Sequence, residues 1–115
     1  MQLEVTFRNT RARDEIRRRA EALFGKLERF LDETSEGTCA ISAEHGAMRV
    51  EIGVSAHGNA HHAHDEDEDL QTALDRAFHT VELSLRRAKD KRVDRKRRGH
   101  TDEVDGFGTE EADAV

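Results

Sequence analysis

Residues 38–56, TCAISAEHGAMRVEIGVSA, decide the fold. Thr38 to Glu44 alternates, with Cys39, Ile41 and Ala43 on one face. After His45-Gly46, Met48, Val50, Ile52, Val54 and Ala56 alternate with Arg49, Glu51, Gly53 and Ser55. A period of two marks a strand with one buried face, and a two-residue gap ending in glycine marks a tight hairpin turn. The stretch is an antiparallel hairpin.

Upstream, residues 2–8 alternate as well, with Leu3, Val5 and Phe7 opposite Gln2, Glu4, Thr6 and Arg8. From about Ala12 to Asp32 the spacing turns helical: Ile16, Ala20, Leu23, Leu27, Phe30 and Leu31 form one stripe. Thr10 is the expected N-cap, which puts Arg11 to Arg13 in the first turn, where bases oppose the helix dipole. Glu33 to Gly37 reads as a loop.

Downstream, Gly58-Asn59 reads as a second turn, and Ala60 to Glu66 as a polar fourth strand at a sheet edge. The acids Asp65–Asp69 lead into a second helix from about Glu68 to the high 90s. Its stripe is Leu70, Leu74, Ala77, Val81, Ser84, Leu85 and Ala88. The same stripe continues as Lys91, Arg92 and Arg95, so the buried face is expected to end near Ala88. The basic end is expected to project about 15 Å into solvent, at the helical rise per residue.

The order βαβββα predicts an α+β, two-layer sandwich: a four-stranded mixed sheet with two helices on one face. A crossover joins strands one and two, so these should be parallel, and the other pairs antiparallel. The 115 residues suit one domain, expected over 1–98, followed by an acidic disordered tail over 99–115. No apolar run approaches the roughly 20 residues that cross a bilayer, and Met1-Gln2-Leu3-Glu4 does not open a secretory signal. A lone cysteine, Cys39, suits a cytoplasmic protein without disulfides.

The net charge of −6 hides a segregation. The tail 101–115 holds six acids, Asp102, Glu103, Asp105, Glu110, Glu111 and Asp113, which leaves residues 1–100 with 19 bases against 19 acids. Residues 86–98 carry nine bases against Asp90 and Asp94, and residues 8–29 carry eight against four. Such clusters are the footprint of a polyanion binder. They nominate Arg8, Arg11, Arg13, Arg95 and Lys96 among the contacts. With no Trp or Tyr, base stacking is not expected, and shape recognition through phosphates is.

Several segments, in order, resemble the short ribosome hibernation promoting factors, also called ribosome-associated inhibitors or sigma-54 modulation proteins. They are Met1-Gln2-Leu3, Lys26-Leu27-Glu28-Arg29-Phe30-Leu31-Asp32, Asn59-Ala60-His61-His62-Ala63, Asp69-Leu70-Gln71-Thr72-Ala73-Leu74-Asp75 and Leu83-Ser84-Leu85-Arg86-Arg87-Ala88-Lys89-Asp90-Lys91. Gln71 stands where the family usually has Tyr. The resemblance implies a fold like double-stranded RNA-binding domains. It also implies binding to the small ribosomal subunit, in the mRNA–tRNA channel, as a translation inhibitor in stress. By position, it assigns ribosomal RNA contacts to Arg19, Lys26, Arg29, Arg86, Arg87, Lys89, Lys91 and Arg92. Tailed short members prevent ribosome dimerisation and tailless ones promote it; both stay open for this chain.

On these grounds the chain is expected to be no enzyme, to need no cofactor or small-molecule substrate, and to be monomeric off the ribosome. The alternative is a metal-binding stress protein that uses His57, His61, His62 and His64. On a strand His62 and His64 share one face and His61 points the other way. The spacing matches no closed metal site, so a solvated edge strand is preferred. Cys39, on an apolar strand face, reads as a small buried hydrophobe. The acidic tail is further expected to fold back on the basic patch as an RNA mimic.

Overall fold

The computed structural model describes residues 2–98, with side chains to residue 94. Strand β1 is Gln2–Arg8, helix α1 Asp14–Gly25, β2 Glu36–Glu44, β3 Ala47–Ala56, β4 Asn59–Asp67 and α2 Leu70–Arg98, with a 3-10 turn at Glu28–Phe30. The sheet order is β1-β2-β3-β4. β1 and β2 are parallel, and the two other pairs are antiparallel. This is the βαβββα mixed sheet expected from the sequence. The chain divides into two units between Leu85 and Arg86, a division that falls within α2.

Both hairpin turns are His-Gly pairs. His45 and Gly46 have φ of 50° and 81°, His57 and Gly58 of 53° and 81°. Positive φ at both central residues is the primed turn that matches strand twist. Ala56 pairs with Asn59, so the second turn lies one residue before the expected Gly58-Asn59, and β4 starts at Asn59. Glycine at the second position of both turns sets the register. β2 also starts earlier than expected, at Glu36, because Glu36 and Gly37 pair with Gln2 and Leu3 of β1.

Helix α1 is shorter than its apolar stripe suggests. Arg13, not Thr10, is its N-cap, with extended φ and ψ of −127° and 118°. The first turn therefore holds Asp14 and Glu15, which favour the positive dipole end, and Arg11 to Arg13 lie outside it. The helix ends at Gly25, and the 3-10 turn returns Leu27 and Phe30 to the core. α2 begins at Leu70 rather than Glu68. Asp69 caps it, its Oδ2 accepting the Thr72 N–H at 3.1 Å and the Thr72 hydroxyl at 2.6 Å.

One row across the sheet shows how the layers meet. Leu3, Gly37, Val54 and His61 are register partners on one face. Phe24 of α1 packs on Gly37, and Ser84 of α2 meets His61. That face buries Val5, Cys39, Ile41, Val50, Ile52, Val54, Ala56 and Ala63 against Ile16, Ala20 and Phe24 of α1 and Leu70, Leu74, Phe78, Val81 and Leu85 of α2. The opposite face carries Glu4, Thr38, Glu51, His62 and His64, all exposed.

Candidate nucleic-acid interface

The bases of the first cluster surround α1. Arg8 ends β1 and is exposed, and Asn9 turns the chain with a φ of 57°. Arg11 and Arg13 are exposed in the segment before α1. Arg13 Nη2 pairs with Glu15 Oε2 at 3.1 Å. Lys26 is exposed at the C-cap of α1, where the dipole favours a cation. Arg29 is exposed, with its guanidinium 4.9 Å from the centre of the Phe30 ring. Among the described residues, Arg8, Arg11 and Lys26 make no ion pair.

Arg19 is different. Its Nε and Nη2 donate to the two carboxylate oxygens of Asp75, each at 2.8 Å. This bidentate pair joins α1 to α2 and raises the Arg19 pKa, first through the hydrogen bond and then through the charge of Asp75. Sequence reading passed over its neighbour Arg18, which is exposed and makes no ion pair with a described residue. A count of bases along the chain does not separate the two, because the partner of Arg19 lies 56 residues away.

The second cluster lies on the last turns of α2. Arg86 and Arg87 are exposed, and Lys89, Lys91 and Arg92 are partly exposed. Arg95 and Lys96 belong to the helix, and their side chains lie outside those described. The two bases outside both clusters contrast with them. Arg49 is held by Glu51 at 2.8 Å and Glu66 at 2.9 Å. Arg76 is held by Asp65 at 2.9 Å and Asp67 at 3.3 Å. Carboxylates thus engage the scattered bases, while the clusters leave several guanidinium and ammonium groups facing water.

The sequence matches the family described as Sigma 54 modulation protein / S30EA ribosomal protein over residues 3–93. The chain belongs to that family. Among solved structures it is similar to the Thermus thermophilus Protein Y N-terminal domain. The identity is 30% and the TM-score 0.70, over 76% of this chain and 98% of that one. A ribosomal subunit interface protein from Coxiella burnetii shares the fold at 19% identity and a TM-score of 0.66, over 78% of this chain and 99% of that one. No curated protein matches the sequence.

His61 is not on a solvated strand face: it is buried, and its Nδ1 lies 2.7 Å from Ser84 Oγ. β4 is an edge strand, but its inward positions pack under α2. His57 faces Asp32 at 3.5 Å, while His62 and His64 are exposed on the other face. Among the described residues no three His, Cys, Asp or Glu side chains are grouped to hold a metal ion. Cys39 is buried, and desolvation pushes its pKa up to about 12. Phe24, Phe30 and Phe78 are core residues, so they offer no faces for bases to stack on. No described helix is long and apolar enough to cross a membrane.

Proposed function

We propose that this chain is a ribosome-associated translation inhibitor of the hibernation type. It binds the small ribosomal subunit in the mRNA–tRNA channel, with its basic helix surfaces against ribosomal RNA. The observation that carries the reading is the contrast between bases. Arg49 and Arg76 are each tied to two carboxylates, while Arg8, Arg11, Lys26, Arg87, Lys91 and Arg92 make no ion pair with a described residue. Membership of a ribosomal protein family supplies the polyanion those bases meet.

In this reading the sheet and its helix layer are a rigid frame, and the clustered cations supply affinity by displacing counterions from phosphates. Buried phenylalanines favour recognition of RNA shape over bases. The protein acts in the cytoplasm as a monomer off the ribosome. It works by occupancy, without catalysis, cofactor or small-molecule substrate. Arg13, Arg29, Arg86, Lys89, Arg95 and Lys96 complete the set of proposed contacts, whereas Arg19, which the family resemblance adds, is held by both carboxylate oxygens of Asp75.

The test is co-sedimentation with purified small subunits at low and high salt. It compares wild type with a variant in which Arg86, Arg87, Lys89, Lys91 and Arg92 are changed to Glu. Binding by wild type at low salt, lost at high salt and in the variant, is the expected result. No co-sedimentation of wild type at low salt would remove the proposal.

A further inference from the structure

Arg17, Arg18 and Arg19 are consecutive in α1 and carry the same charge, yet each meets different surroundings. Arg17 is half buried. Its Nη1 donates to the Val5 carbonyl at 3.2 Å, and its guanidinium lies 5.4 Å from the centre of the Phe7 ring. It thereby satisfies a backbone acceptor on edge strand β1 and fastens the helix to that strand. Arg19 is locked to both oxygens of Asp75 at 2.8 Å and fastens the same helix to α2. A guanidinium held bidentately by a carboxylate has its fork filled and its charge largely offset.

Arg18 has neither engagement. It is exposed, and among the described residues it makes no hydrogen bond or ion pair. Positions one and two turns further along that side of the helix are Ala22 and Gly25, both exposed. Nothing lies within 4 Å of where a Cβ on Gly25 would sit. On that flank of Arg18 the surface is therefore low, while the exposed acids Asp14, Glu15 and Glu21 occupy its other neighbouring positions on the helix.

We propose that Arg18 is the phosphate-contacting residue of this run, and that Arg17 and Arg19 serve the fold. The inference rests on the ribosomal RNA reading above, and it replaces Arg19, the residue the family resemblance singles out, with its neighbour. The physical reason is that a salt-bridged arginine must lose a carboxylate to gain a phosphate, whereas Arg18 exchanges only water and counterions.

The experiment measures binding of the full chain to purified small subunits across a salt series, together with thermal melting, for Arg18→Gln, Arg18→Lys, Arg19→Gln and Asp75→Asn. Arg18→Gln is expected to weaken binding several-fold at low salt, reduce the log–log salt slope by about 1 and leave Tm unchanged. Arg18→Lys keeps the charge and restores the slope. Arg19→Gln lowers Tm and leaves the salt slope at its wild-type value, while Asp75→Asn lowers Tm, non-additively with Arg19→Gln, and frees Arg19 so that its slope does not fall below wild type. Wild-type affinity and slope in Arg18→Gln, or a slope loss in Arg19→Gln equal to that in Arg18→Gln, would overturn the assignment while wild type still binds. Failure of wild type itself to bind would instead overturn the ribosomal reading, and this assignment with it.

Discussion

Gly37 packs against the edge of the Phe24 ring. A Cβ built on this glycine would stand 2.7 Å from Phe24 Cε1 and 3.1 Å from Leu3 Cδ1. The missing side chain lets α1 settle onto the β1–β2 pair, where Phe24 fills the space. Gly37→Ala is therefore expected to lose about 1–3 kcal/mol of stability through overpacking. Phe24→Leu, which removes the ring edge, should partly rescue it. Denaturant melts of both single variants and the double variant check this. An additive double variant would show that the two residues do not compete for space.

The strands were legible because their signal is local. Alternation from Thr38 to Ala56 needs no partner to be read, and the glycine of each turn marks it. The helix ends were less legible. Arg11 to Arg13 look helical by spacing, but Asp14 and Glu15 suit the N-terminus better and the helix starts there. Phe24 and Phe78 fell outside the quoted stripes because each helix buries a wider face than a narrow stripe captures. At the candidate interface the clustering of charge was legible, and which bases are held by carboxylates was not. Arg19 is set apart from Arg18 by Asp75, and His61, already turned to the other face of β4 from His62, is held there by Ser84, contacts that depend on the closed fold.

Acid sensitivity follows from three carboxylates held below the usual range. Asp32 is lowered first by the Ser35 hydroxyl, then by Thr34 and His57. Asp65 is lowered first by its hydrogen bond from Arg76, and Asp69 first by that from Thr72. A depressed folded pKa contributes stability above the unfolded value of about 3.9, and that contribution disappears as pH falls through the folded value. The denaturation midpoint should therefore drop below about pH 4. Asp65→Asn should lower the midpoint at pH 7 and leave a shallower acid limb. An unchanged limb in that variant would assign the acid sensitivity to other groups.

Cys39 gives a clean probe of the core. Its thiol is buried on the inner face of β2 and its pKa is pushed up to about 12, so thiolate is scarce at neutral pH. The thiolate is the reactive form. The native protein is expected to resist iodoacetamide at pH 8 for as long as it stays folded, and to react fully in denaturant. The labelling rate should follow the unfolding equilibrium across a urea series. Rapid labelling of the native chain would mean that β2 opens from α1 far more readily than its packing implies.

The six acids of residues 101–115 share a chain with the basic end of α2. A tethered polyanion competes with RNA at an effective concentration that short linkers bring into the millimolar range. Truncation after His100 is expected to tighten binding to small subunits at low salt and to narrow the difference at high salt, where both attractions are screened. Neutralising the acids with Asn and Gln at full length should reproduce the gain, which separates charge from bulk. The decisive comparison is the ratio of truncated to full-length affinity across the salt series. A ratio of one at every salt concentration would show that the acids do not compete for the basic surface.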